Sequence, residues 1–128
     1  MSFDWSEYLT LAQALGGDDV ATSEEARLRS AISRAYYAVY GTAQVIARSR
    51  DGYTPQATET SHQGLINHFK RSPDRVRKAI GMNLERLRKS RVTADYERHV
   101  QGKLFFEVKA TLSLAASVLQ DLERLRTS

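Results

Sequence analysis

The 128-residue sequence contains no cysteine, only two prolines and one tryptophan. Without cysteine the chain forms neither disulfides nor thiolate metal sites, which agrees with a reducing compartment. No apolar run approaches the roughly 20 residues of a transmembrane helix. The first 15 residues carry acids where a secretory signal peptide would carry lysines. We therefore expect a cytoplasmic protein without a membrane segment, forming one domain over residues 1–128.

Acidic and basic residues are unevenly distributed along the chain, although the net charge is only +4. Residues 1–26 contain six acids and no base, whereas residues 70–91 contain nine bases and two acids. Arginines outnumber lysines by 14 to five, and guanidinium groups bind phosphates through paired hydrogen bonds and stack on bases. The basic segment suggests a polyanionic partner. A solvated helix face accounts for the same charges, and both interpretations are open at this point.

Hydrophobic periodicity predicts an all-α protein, because no segment shows the sustained two-residue alternation of a strand. The long helices carry apolar residues at three- and four-residue steps, which is typical of faces that pack in a core. Helix starts are indicated by capping-box spacings at Thr22–Glu25 and Thr60–Gln63, and by Ser72 before a proline. The predicted fold is an antiparallel bundle of four to five helices. The predicted helices span about 4–15, 22–49, 60–71, 72–91 and 103–125, with an irregular segment over 92–102.

The second predicted helix carries another stripe beside its apolar one. Its members are Arg27, Ala31, Arg34, Ala38 and Gly41. The small residues permit close approach of another helix, and Arg34 lies among them. On the fourth helix the apolar stripe, continued by four residues, reaches Arg91. A partly buried guanidinium keeps its charge and needs acceptors, and both Asp95 and an RNA phosphate would serve.

Two stretches of the sequence resemble the HEPN family (higher eukaryotes and prokaryotes nucleotide-binding), in its small stand-alone prokaryotic branch. They are "LRSAISRAYYAVYGTA" over 28–43 and "LRKSRVTADYE" over 87–97, and the resemblance covers nearly the whole chain. It implies a bundle of four to five helices that is usually a homodimer. Many members are toxins that cleave RNA, often encoded beside a small nucleotidyltransferase antitoxin. Their cleavage is metal-independent, because the 2′-hydroxyl of the RNA attacks the adjacent phosphate.

In active members of the family, an arginine is followed by a polar residue and, four to six residues on, by a histidine. The resemblance places the arginine at Arg91, but Val92 follows it. Asp95 and Tyr96 stand where the histidine is expected, and His99 lies beyond that window. The predicted catalytic residues are therefore Arg91, Asp95, Tyr96 and His99. Arg91 would stabilise the charge that develops on the phosphorane. Asp95 and Tyr96 transfer protons at neutral pH less readily than a histidine does.

The predicted RNA-binding residues are Arg34, Tyr37, Arg88 and Lys89. The departure from the motif leaves two hypotheses: a dimer that cleaves RNA in a shared cleft, and a non-catalytic module that binds a nucleotidyltransferase or a nucleotide. A third holds that the arginines only fix helix packing.

No metal or cofactor is predicted. His62 and His68 are six residues apart and do not share a helix face as a metal-binding pair would. No glycine-rich phosphate loop occurs. We interpret both histidines as surface or core-edge residues.

Overall fold

The computed structural model describes residues 4–16, 24–96 and 103–127, and these residues form five α-helices without any strand among them. The helices are α1 (Glu7–Leu15), α2 (Glu24–Asp51), α3 (Ser61–Lys70), α4 (Arg75–Tyr96) and α5 (Lys103–Thr127). The predicted all-α bundle is thereby confirmed. Of these described helices, none combines the length and the apolar character that crossing a membrane requires.

The start of α3 forms half of the predicted capping box. The Thr60 Oγ1 accepts a hydrogen bond of 3.1 Å from the backbone N–H of Gln63. The Gln63 side chain does not return to Thr60 but donates to Asn67, one turn further along α3. The corresponding box at the start of α2 involves Thr22, which lies outside the described residues.

The predicted start of α4 at Ser72 is wrong by a few residues. Asp74 is the residue whose carboxylate accepts from the backbone N–H of Arg77, at 2.9 Å, and the helix begins at Arg75. The Ser72 Oγ instead accepts from the N–H of Asp74. An aspartate at this position accepts a charge-assisted bond and also opposes the positive end of the helix dipole.

The predicted end of α4 at Arg91 is also wrong, because the helix continues to Tyr96. Ala94 is fully buried and belongs to a hydrophobic cluster between α2 and α5. Its other buried members are Leu28, Ala31, Ile32, Leu104 and Val108. The backbone carbonyl of Ala94 accepts a hydrogen bond from the guanidinium of Arg29 on α2. These tertiary contacts stabilise the extra turn, which local sequence did not indicate.

The central helix of the bundle is α2, which contacts each of the other four helices. Arg29 near its start binds Ala94 at the end of α4, and Asp51 at its end binds Arg77 near the start of α4. The two helices therefore run antiparallel. The largest buried side chains of the main core are Tyr36, Leu65, Ile66, Phe69, Ile80, Leu84, Leu87 and Leu122. Through this core, α3 and α4 pack against the face of α2 that carries Tyr36, Tyr37 and Tyr40.

Asp51 joins three helices and so fixes the position of α3. Its Oδ2 accepts hydrogen bonds of 2.8 Å from both His68 Nε2 and Arg77 Nη1, and its Oδ1 accepts one of 3.0 Å from Arg77 Nη2. The Arg77 guanidinium also lies over the ring of Phe69 on α3, 5.8 Å from its centroid. Burial alone would raise the pKa of Asp51. The hydrogen bonds from Arg77 and His68 outweigh burial and hold this pKa below its ordinary value of 3.8.

We expect Asp51→Ala to lower the free energy of unfolding by about 1–2 kcal/mol, because Arg77 and His68 lose their common acceptor. Urea denaturation at pH 7 measures this. Since the pKa is depressed on folding, the contribution is complete above pH 3.8 and is lost as the pH falls through the lower folded value. Glu123→Ala is the matched control, because it removes an exposed carboxylate 3.8 Å from Arg126. It should cost less than about 0.5 kcal/mol, and equal losses in the two variants would contradict the role of Asp51.

Candidate functional site

Three tyrosines of α2 surround one histidine of α3. Tyr36 is fully buried, and its hydroxyl oxygen lies 2.5 Å from Nδ1 of His62. The His62 ring stacks on that of Tyr40, with centroids 4.6 Å apart and 30° between the ring planes. The Tyr37 ring meets His62 edge-on, with centroids 6.2 Å apart. These four residues form what we call the tyrosine–histidine cluster.

Two arginines of α4, one helical turn apart, border this cluster. The Arg91 guanidinium lies over the ring of Tyr37, 5.3 Å from its centroid. The Arg88 Nη1 donates a hydrogen bond of 3.4 Å to Oε1 of Gln63, the residue that follows His62. Arg88, Arg91 and the cluster therefore share one region of α2, α3 and α4, which we call the arginine–aromatic site.

The surroundings decide the protonation of the two groups at the centre of the site. Burial raises the pKa of Tyr36 well above its ordinary value of 10.0, so its hydroxyl stays protonated at neutral pH. Burial, and then the positive charges of Arg88 and Arg91, lower the pKa of His62 below 6.5. The His62 ring is therefore neutral at pH 7. A neutral imidazole has one nitrogen with a lone pair, so it can accept a proton there.

A hollow of about 410 Å³ opens between α3 and α4 beside the arginine–aromatic site. Its lining residues are Gln63, Ile66, Glu85, Arg88, Lys89, Val92 and Thr93. Two cations of the basic segment, Arg88 and Lys89, thus border a concave surface. Cations at the edge of a cleft concentrate the electric field and attract anions.

The structure brings Arg91, Tyr37 and Arg88 of the predicted site residues together, with Lys89 in the adjoining hollow. Arg34 has different neighbours. Its guanidinium lies 5.3 Å from the ring centroid of Tyr8 on α1. Arg34 also borders a second hollow, of about 350 Å³, between α2 and the end of α4. Its surroundings therefore differ from those of Arg91, which lies over Tyr37.

The remaining predicted site residues lie at the end of α4 or follow it in the sequence. Asp95 and Tyr96 are the last two residues of α4, but their side chains are not among those described. His99 lies outside the described residues altogether.

The sequence predicts His62 as a surface or core-edge residue without a role in the site. The residues that follow His62 in the sequence indicate which face of α3 it occupies. Leu65, Ile66 and Phe69 follow it at three-, four- and seven-residue intervals, and all three are buried. His62 therefore begins the apolar stripe of α3 and faces the same core as Tyr36.

No protein-family model, curated protein or solved structure matches this chain. In the part of the chain that the structure describes, no group of three or more metal-ligating side chains occurs. The arginine–aromatic site combines guanidinium groups of a kind suited to phosphate, ring faces of a kind suited to stacking on bases, and a neutral histidine that can accept a proton.

Proposed function

We propose that this protein is an RNA-directed protein of the HEPN type that binds single-stranded RNA at the arginine–aromatic site and cleaves it without a metal ion. The observation that carries the proposal is the meeting of Arg88 and Arg91 from α4 with the tyrosine–histidine cluster of α2 and α3. The two stretches that resemble the family supply every member of this site except His62.

Each part of the site supports a step in RNA recognition. The guanidinium groups of Arg88 and Arg91 suit the oxygens of a phosphate. The partly exposed rings of Tyr37 and Tyr40 suit stacking with unpaired bases, which contributes about 1–3 kcal/mol per base in other proteins. Unpaired bases are available in single strands and loops, so we propose these as the substrate.

The chemistry requires a nucleophile, a proton acceptor and a cation near the phosphate. The RNA itself supplies the nucleophile through its 2′-hydroxyl, and Arg91 supplies the cation. Two copies of the chain would act together, as in the family it resembles. A small nucleotidyltransferase antitoxin is the proposed partner that blocks the site.

A second candidate is a non-catalytic module that binds a nucleotidyltransferase or a nucleotide through the same site. Asp95 and Tyr96 at the positions of the motif histidine favour it. The two candidates differ in whether bound RNA is cut.

A fluorescent single-stranded RNA and the DNA of the same sequence, each incubated with the protein in EDTA, test the proposal. We expect the RNA to be cut to products with 2′,3′-cyclic phosphate ends and the DNA to stay intact. Binding, followed by fluorescence anisotropy, should weaken steeply as salt rises. Salt-sensitive binding without cleavage would favour the non-catalytic candidate. Neither binding nor cleavage would overturn the RNA-directed proposal.

A further inference from the structure

We propose that His62 is the catalytic residue that accepts the proton of the attacking 2′-hydroxyl, and that Tyr36 positions its ring. The inference rests on the proposed function and adds a residue of α3 that neither family-like stretch contains. It supplies a histidine as proton acceptor, which the sequence lacks four to six residues after Arg91.

The contacts of His62 hold its ring in one orientation. The buried Tyr36 hydroxyl occupies Nδ1 at 2.5 Å, and the Tyr40 ring covers one face with centroids 4.6 Å apart. Because Nδ1 is engaged, Nε2 is the nitrogen that can exchange a proton with a substrate. The proposed role requires the tautomer in which Nδ1–H donates to the Tyr36 oxygen, because the lone pair of the neutral ring then lies on Nε2.

Five side chains from two helices face His62. They are Tyr36, Tyr37 and Tyr40 from α2, and Arg88 and Arg91 from α4. Burial, and then the two guanidinium groups, oppose a positive charge on the ring and so lower the pKa of His62. The same two cations would hold the scissile phosphate, and would thereby bring the 2′-hydroxyl next to a group ready to accept its proton.

In the proposed step, the 2′-hydroxyl proton moves to Nε2 of His62 while the bond from O2′ to phosphorus forms. Arg91 stabilises the negative charge on the phosphorane. The bond from phosphorus to O5′ breaks, and its electron pair remains on O5′. Water donates a proton to O5′, and the resulting hydroxide removes the proton from His62. The products are a 2′,3′-cyclic phosphate and a 5′-hydroxyl end, and His62 is regenerated.

Single-turnover cleavage by wild type and His62→Ala, with RNA binding measured in parallel, tests the assignment. We expect the variant to cleave at least about 100-fold more slowly, the lower end of what general base catalysis contributes. Its dissociation constant for RNA should stay within about threefold of wild type, because the arginines that bind phosphate remain. Free imidazole should restore part of the rate. The wild-type rate should fall at acid pH with an apparent pKa below 6.5, and His62→Ala should lack this dependence.

Tyr36→Phe keeps the buried ring and removes the hydroxyl that holds Nδ1. The cleavage rate of Tyr36→Phe should lie between those of wild type and His62→Ala. The acid limb of the pH profile of this variant should also be shifted relative to wild type. A purely structural role of Tyr36 would lower thermal stability and leave that limb in place. If His62→Ala does not fold, as judged by circular dichroism, His62→Gln offers a polar side chain to the Tyr36 hydroxyl and gives the same readout.

The outcomes separate this inference from the proposed function. Cleavage by His62→Ala at the wild-type rate, or an unchanged pH profile with no rescue by imidazole, would overturn the role of His62 and leave RNA cleavage standing. Wild-type protein that binds RNA without cutting it would overturn both the role of His62 and the cleavage. Wild-type protein that does not bind RNA would overturn the site as a whole.

Discussion

Replacement of Arg91 by alanine is expected to slow RNA cleavage by at least about 100-fold, the scale seen when one stabiliser of a developing charge is removed. Arg91 lies over Tyr37, and its charge acts on His62 together with the larger effect of Arg88, so it lies beside the proposed reaction. Arg91→Lys keeps the charge but loses the planar fork, so it should recover only part of the rate. Single-turnover rates at saturating protein measure the effect on the chemical step separately from binding.

Arg86→Ala is the matched control for Arg91→Ala. Arg86 is exposed on the same helix, and it borders a hollow shared with α5 instead of the arginine–aromatic site. Its replacement removes the same charge from the same helix, so the rate should change by less than about twofold when the general electrostatic attraction is screened by salt. If the two variants lose equal activity, the basic helix acts through its overall charge and Arg91 has no particular role.

Phe69→Ala should lower the free energy of unfolding by about 3–5 kcal/mol, the usual cost of truncating a fully buried phenylalanine. Phe69 is 0 % exposed in the main core cluster and forms the anchor of α3, which carries His62 at its other end. Without the Phe69 ring, α3 packs less stably against the core. The cleavage rate of the variant should therefore fall at temperatures below the one at which the whole bundle unfolds. Urea denaturation and the temperature dependence of cleavage measure the two effects.

Phe106→Ala provides the same change of side chain at a position that is 72 % exposed on α5. It should alter the free energy of unfolding by no more than about 0.5 kcal/mol. A similar loss of unfolding free energy in both variants would show that Phe69 does not lie in the core. Size-exclusion chromatography of Phe106→Ala would also show whether this exposed ring takes part in dimer formation.

The helices could be predicted from the sequence because the signals that define them are local. Apolar residues recur at helical spacing, and Thr60 caps α3 as its spacing to Gln63 indicates. The last turn of α4 could not be predicted in this way. It depends on the burial of Ala94 against α2 and α5, which the residues next to Ala94 in the sequence do not reveal.

The candidate site was partly predictable for the same reason. Arg91, Arg88 and Tyr37 belong to the stretches that resemble a known family, so they could be selected without coordinates. The apolar stripe of α3 indicates only that His62 lies at its core face. The contact of His62 with Tyr36 could not be predicted, since it spans 26 residues and depends on how the 52–60 segment returns the chain to α2. The neighbours of Arg34 also depend on packing, because Tyr8 belongs to another helix.

The ring signals of His62 test most directly whether Arg88, Arg91 and the tyrosine–histidine cluster form an RNA site. With histidine labelled for NMR, the chain gives signals from three residues, and His62→Gln assigns the one of interest. Added single-stranded RNA should shift the His62 signal and should leave that of His68, which is bound to Asp51 near the other end of α3. In the free protein His62 should titrate below 6.5. A His62 signal that saturating RNA does not move, or that titrates above 6.5, would contradict the proposed site.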